Sequence, residues 1–289
     1  MSENTEKNLG VIHGQRNSDW VGGTIPYQTN VPDGDWTKWL PPWEWQYVNN
    51  FDLMACVSFS ALNVLETLYY FQTGLQRNFS DRFTARMSGT TPQGNWLWKV
   101  GDSVRKDGLV DEMAWSTPQG ATWDTYYSTV DIEVINKAKE FLKEWTINYE
   151  FIDFTRESLM YHLKQSPIQV VFPNHAVMNF YTAADVYKYF DSYAPFVKER
   201  QEGFTSALKY ILTKNNDMLF EQVKTADSPD VYLVRNGHKT LVRNQNVIKV
   251  VGDFSQVRVL TQFELDLILD EDFGNTGQGG GSIGWEPKA

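Results

Sequence analysis

The sequence predicts an α+β chain in which a helical half precedes a β-rich half and a small hairpin-and-helix module follows. Three observations carry this. Phe59, Leu62, Leu65 and Tyr69 recur at three- and four-residue steps, the period of a helix with one buried face. From about residue 145 the pattern changes, with Ile147, Tyr149 and Phe151 alternating as a strand requires and an apolar run following from Ile168 to Phe172. Further on, Val231 to Val234 and Thr240 to Val242 flank Asn236-Gly237, a pair that tolerates the positive φ angles of a tight hairpin turn.

Residues 1–30 read as a flexible N-terminal arm, because Gly, Asn, Ser and Thr crowd out apolar positions. Residues 31–225 form the main domain, with a helical lobe at about 45–144 and a β-rich lobe at about 145–212. Its opening stretch, Trp36 through Tyr47, is dense in Trp and Pro and has neither period, so it is expected to pack as an extended wrap; an aromatic platform for carbohydrate is the other use of such a stretch. The helix beginning at Cys56 comes next. Ser80 then caps a short helix that Gly89 stops, and Trp96, Val100 and Val104 mark another from about Gly94 to Lys106. Past a loop rich in Pro, Gly and Thr, helical spacing returns from Ile132 to Glu144. In the β-rich lobe Thr155 caps a helix through Leu163, and strands are expected at 168–173, 175–182 and 185–191. Residues 229–270 make the C-terminal module, its helix running from Leu260 to Leu269 with Thr261 as cap, and 271–289 form a glycine-rich tail.

With 289 residues, 42% of them hydrophobic, the chain can fill a sizeable core. A net charge of −10 opposes a nucleic-acid partner, which needs a basic face to neutralise phosphates. One cysteine excludes an intrachain disulfide, and Cys and His are not spaced as metal ligands, so no metal or other cofactor is expected. There is neither an export signal nor an apolar run of membrane-spanning length, which points to a cytoplasmic or virion-associated protein without a membrane partner.

Chemistry converges on Cys56. It sits in the first turn of its helix, where unpaired N–H groups and the positive end of the dipole favour a thiolate, so the thiol is expected to ionise well below the reference value of about 8.5. The same residue also suits an ordinary buried cysteine acting as a small hydrophobe. A nucleophilic thiol needs a base, and His175, opening an apolar strand in the other half, is the histidine placed to face it. Sixteen residues on, Asp191 ends a strand and can orient the ring, although a strand-end Asp also forms turns.

In chain order, Cys56-x-x-Phe59-Ser60 with Glu66, Phe79-Ser80-Asp81-Arg82-Phe83, His175-Ala176-Val177 and Asp191-Ser192 resemble the motifs of the papain-like cysteine peptidases, in a divergent form of phage and bacterial type. The resemblance covers about residues 31–200. It implies a two-lobed fold with the nucleophile on the helical lobe and the histidine on the β lobe, hydrolysis of peptide or amide bonds, and a polypeptide or cell-wall peptide as substrate. It also implies an amide donor to the oxyanion shortly before the cysteine. Gln46 has the side chain and Asn50 the usual spacing, so either fills that place. Val57, Met54-Ala55 and Asp191 depart from the family's Trp, Gly-Ser and Asn. The alternative is a catalytically inactive scaffold of this fold, serving as a structural or adhesion protein of a phage particle, with the C-terminal module as a protein attachment.

Overall fold

A computed structural model describes residues 10–14, 30–48, 50–215, 221–225, 231–235, 238–242, 258–260 and 269–270. The chain divides into a unit ending at Asn215 and a second beginning at Asn216. In the first, α1 (Cys56–Thr73) is buried at every residue from Cys56 to Leu68, where the sequence predicts one buried face. Two of the polar residues that obscure this burial satisfy themselves on the helix: Ser60 Oγ donates to Cys56 O at 2.7 Å and Thr67 Oγ1 to Asn63 O at 2.7 Å. At its end Gly74, with φ at 72°, returns its N–H to Tyr70 O.

Around α1 stand α2 (Asp81–Met87), α3 (Leu97–Asp107), α4 (Trp123–Tyr126) and α5 (Ile132–Glu144). Ser80 caps α2 through the Phe83 N–H, as expected. After α3 the chain turns at Gly108, with φ at 82°; a Cβ there would lie 2.0 Å from Ala138 O, so only glycine lets this turn press against α5.

The second half of this unit contains β3 (Trp145–Ile152), α6 (Arg156–Leu163), β4 (Ile168–Phe172), β5 (His175–Thr182), β6 (Tyr187–Phe190), β7 (Val197–Arg200) and β8 (Ser206–Lys214). The strands form one antiparallel sheet in the order β3-β8-β4-β5-β6-β7. α1 lies against β5, β4 and β8. Wholly buried Gln169 on β4 fixes that contact, donating to Val57 O and Ser60 Oγ at 2.8 Å each while accepting from Tyr210 Oη at 3.2 Å.

β8 was not among the predicted strands, because Lys209 interrupts its apolar pattern. The side chain is nonetheless buried, 2.5 Å from Glu150 on β3, directly opposite in register, and it donates to Gln165 Oε1 at 3.0 Å. Burial pulls the Lys209 ammonium down to about 8, and Glu150 opposes the fall.

Trp36 anchors the segment before α1. Fully buried, it donates its indole N–H to Leu163 O at 2.6 Å and its backbone N–H to Phe180 O, with its ring edge-on to Trp39 and Phe71. Residues 10–14 of the expected flexible arm are held too, through Ile12 N–H to Asn95 O and Asn95 N–H to Gly10 O; the rest of the arm up to residue 29 lies outside the described residues.

The second unit contains a sheet in the order β12-β9-β10-β11-β13, made of β9 (Glu221–Thr225), β10 (Val231–Arg235), β11 (His238–Val242), β12 (Arg258–Leu260) and β13 (Leu269–Asp270). The predicted hairpin is β10 and β11, with Arg235 opposite His238. β9, assigned on sequence to the main domain, pairs with β10 instead. The helix expected from Leu260 to Leu269 is corrected at both ends, since Leu260 pairs with Thr225 and Leu269 with His238 as strand residues. Asn236-Gly237, residues 261–268 and the tail at 271–289 lie outside the described residues.

Buried carboxyls gather where α1 meets α2. Glu66 Oε1 accepts the Phe79 N–H at 2.6 Å, and Asn78 donates to Glu44 Oε1 at 2.8 Å. Burial, reinforced by the charge of Glu44, pushes Glu66 and Asp81 well above the usual carboxyl range, and burial lifts half-buried Glu112 to about 7. These groups hold protons more tightly folded than unfolded. Their contribution to stability is therefore full below the unfolded value of about 4 and lost as pH rises through the folded values, about 7 for Glu112.

Two outcomes follow from this packing. Trp36→Ala, which removes a fully buried ring and its hydrogen bond, is expected to lower unfolding free energy by about 3–5 kcal/mol, read as a lower urea midpoint. Thermal melts of the wild type should lose stability as pH rises from about 5 to about 8. Glu66→Gln, a neutral isostere that keeps the acceptor for Phe79, should flatten that decline; an unchanged slope refutes the account.

Candidate active site

The chain enters α1 through Met54, whose φ of 53° is sparsely populated for a residue with a Cβ. Two hydrogen bonds hold it there: Asp52 Oδ1 accepts the Met54 N–H at 3.0 Å, and the Tyr127 hydroxyl donates to Leu53 O at 2.5 Å. Cys56 follows as the first residue of the helix, fully buried, with the backbone N–H groups of Ala176 and Val57 facing its sulfur. Because Ala176 is the residue after His175 on β5, this contact brings the cysteine to the strand that carries the histidine.

His175 follows Asn174, which turns the chain between β4 and β5 at a φ of 65°. Its Nε2 lies 2.7 Å from Asp191 Oδ1, and its buried Nδ1 has no hydrogen-bond partner. The carboxylate only accepts, so the ring proton belongs on Nε2 and Nδ1 presents its lone pair. Phe172 and Tyr193 flank the ring, each with its centroid 5.5 Å away.

Asp191 stands just past β6, its N–H bonded to Phe196 O. Oδ1 also accepts the Tyr193 N–H at 3.2 Å, and Oδ2 accepts from Lys198 Nζ at 2.8 Å. Burial pushes this carboxyl up, but the hydrogen bonds and charges of His175 and Lys198 outweigh burial and hold it below the usual range.

Gln46 joins the cluster and Asn50 does not. The buried Gln46 side chain donates to Asp52 Oδ1 at 3.1 Å and accepts from Ser192 Oγ at 3.2 Å, while its backbone N–H reaches Ser192 O. Asn50 is exposed at the turn between β1 (Tyr47–Val48) and β2 (Phe51–Asp52), at a φ of 62°. Its residue type suits that left-handed turn, and the exposure keeps its amide out of the cluster.

The thiol is not acidified by the helix terminus alone. Burial raises the Cys56 pKa well above the ordinary thiol value, and the negative charges of Asp52 and Asp191 push the same way; the N–H groups of Ala176 and Val57 only partly offset them. This corrects the expectation drawn from the dipole, which omitted the burial of the first turn. It makes ionisation depend on a proton acceptor nearby.

Sequence reasoning missed Asp52, Tyr193 and Lys198. The Tyr193 hydroxyl donates to Asp52 Oδ2 at 2.9 Å, so one carboxylate ties the turn before α1 both to Gln46 and to the ring beside His175. Tyr193 stands two residues after Asp191, a signal within reach of the sequence. Lys198 emerges only from the pairing of β6 with β7, which sets it opposite Tyr189. Among the described residues no group of three or more His, Cys, Asp or Glu suits a metal ion, and no helix is long and apolar enough to cross a membrane.

No family model matches the chain, and no curated protein sequence matches it. Solved structures do. Xylellain, a cysteine protease from Xylella fastidiosa, is similar with a TM-score of 0.51 and 13% identity, over 73% of this chain and 98% of its own. Digestive procathepsin L 3 of the Tenebrio molitor larval midgut gives 0.49 and 15% identity, over 70% and 76% of the two chains. Bromelain from Ananas comosus, solved with the inhibitor E64, gives 0.47 and 16%, over 61% and 96%. The likeness to xylellain shows the fold: it is α+β and papain-like.

Asp52→Ala strips the Gln46 amide and the Tyr193 hydroxyl of an acceptor, and is expected to cost about 1–3 kcal/mol of stability in urea unfolding. Asp52→Asn, which keeps one carbonyl oxygen, should cost less.

Proposed function

We propose that the chain is a papain-like cysteine peptidase or amidase. One observation carries the reading: His175 is fixed through Nε2 on Asp191 and keeps a buried, unpartnered Nδ1, while the N–H of the next residue faces the Cys56 sulfur. A thiol whose pKa burial raises ionises at neutral pH only by passing its proton to such a nitrogen, giving a thiolate–imidazolium pair.

In this mechanism the Cys56 sulfur attacks the acyl carbon, and the electron pair of the carbonyl moves onto oxygen. The Cys56 backbone N–H, one of the helix's first four without an acceptor in its own helix, and the Gln46 amide stabilise that oxyanion. The imidazolium gives its proton to the leaving amine, and an acyl-enzyme forms. Water then attacks the thioester, His175 taking the proton from water and returning it to the sulfur as the acid leaves. Asp191 holds the ring in the productive tautomer. The substrate is a polypeptide or a cell-wall peptide, and residues 216–289, with a sheet of their own, serve as an attachment for a protein partner. The second reading, an inert scaffold of the same fold, is favoured by the complete burial of Cys56.

The test is the pH dependence of Cys56 alkylation by iodoacetamide, run beside hydrolysis of a fluorogenic peptide library. Wild-type alkylation should stay fast into mildly acidic pH. His175→Ala should slow it by on the order of 100-fold, and Asp191→Ala should slow it less, since Asp191 acts through the ring. Alkylation that rises only above about pH 8.5, indifferent to both substitutions, would give the protein to the scaffold reading.

A further inference from the structure

Asp191 stands where the resemblance leads one to expect an uncharged Asn, and a second carboxylate, Asp52, already lies close enough to oppose ionisation of Cys56. An unbalanced charge at Asp191 adds to that opposition. The carboxylate is not unbalanced: Lys198 Nζ meets Oδ2 at 2.8 Å, with the Asp191 side chain 4% exposed and that of Lys198 24%. In the β6–β7 pairing, Tyr189 is opposite Lys198 and the Asp191 N–H reaches Phe196 O, so Asp191 and Lys198 are diagonal neighbours on one face. Glu199, next to Lys198, is engaged elsewhere by Lys188 at 3.4 Å.

We propose that Lys198 is a positioning residue of the site. It holds Oδ2 so that Oδ1 faces His175 Nε2, and its charge offsets part of that of Asp191, so the pair acts on the ring as less than a full negative charge. The inference rests on the peptidase reading for its purpose and on the Lys198–Asp191–His175 geometry for its physics. Other charged or titratable groups around this set include Cys56 from α1, Asp52 from β2, Tyr189 from β6, Tyr193 after β6 and Arg200 from β7, the last over the Phe172 ring that flanks His175, with Tyr127 after α4 near Cys56 and Asp52.

The direction of the effect follows from charge. Removing the cation makes the site more negative, which favours protons on both the ring and the thiol. Lys198→Met should therefore move both limbs of the Cys56 alkylation profile, and the protonation curve of the His175 ring followed by NMR, to higher pH by on the order of one unit. Lys198→Arg, keeping the charge, should leave them in place. Asp191→Asn alone leaves the cation unbalanced and should move them the other way. The double variant Asp191→Asn with Lys198→Met, neutral again, should return close to wild type. A purely structural lysine predicts none of this sign pattern.

Wild-type and Lys198→Met curves that coincide overturn the inference, as does a double variant displaced as far as Lys198→Met. If instead the ring signal moves as described while the wild-type thiol behaves as an isolated one and no peptide is cleaved, the peptidase reading falls and the role of Lys198 stands.

Discussion

Gln169, buried on β4, holds the Val57 carbonyl and the Ser60 hydroxyl of α1 with one end of its amide and the Tyr210 hydroxyl of β8 with the other. That clamp decides where the helix meets the sheet. A one-residue change of height would carry Cys56 about 1.5 Å along the axis and away from the Ala176 N–H. An amide suits the task because it satisfies a buried carbonyl, two hydroxyls and itself without bringing a charge into the interior. Ser60 and Thr67 of α1 are then compatible with burial, because each is bonded to the helix or to this clamp.

In the proposed mechanism the site divides into a part that creates an obstacle and a part that overcomes it. Burial and two aspartates raise the cost of a thiolate at Cys56, while in the proposed mechanism the unpartnered His175 Nδ1 supplies a place for the proton. Asp52 contributes to the obstacle, yet it also fixes Met54, Gln46 and Tyr193. Rigidity at the turn before the helix has been obtained at some electrostatic disadvantage.

Much of this was legible in the sequence, and the reasons differ by element. The strand that opens at His175 was clear because apolar residues dominate it beside turn residues, and Ser80 announced its cap. β8 was hidden by Lys209, since a charged residue in mid-strand reads as surface until its partner across the sheet is known. Cys56, His175 and Asp191 stand out in the sequence because each sits at the mouth or end of an element, where sequence signals are strongest. Gln46 could not be separated from Asn50 on spacing, because the short hairpin of β1 and β2 intervenes and takes Asn50 for its turn. Lys198 required strand register, which no local pattern contains.

The Glu150–Lys209 pair has a consequence for how the sheet assembles. β3 and β8 are long neighbours, separated in sequence by the whole second half, and apolar residues alone would let them slide by two positions with little loss of contact. With one carboxylate directly opposite one ammonium in the interior, any such slip buries two unmatched charges at a cost of about 3–5 kcal/mol. The pair thus works as an indexing pin. It adds little to the depth of the native well, but it removes the shifted pairings that would compete with it, and so keeps β4 and β5, hung on β8, at the height where the Ala176 N–H faces Cys56.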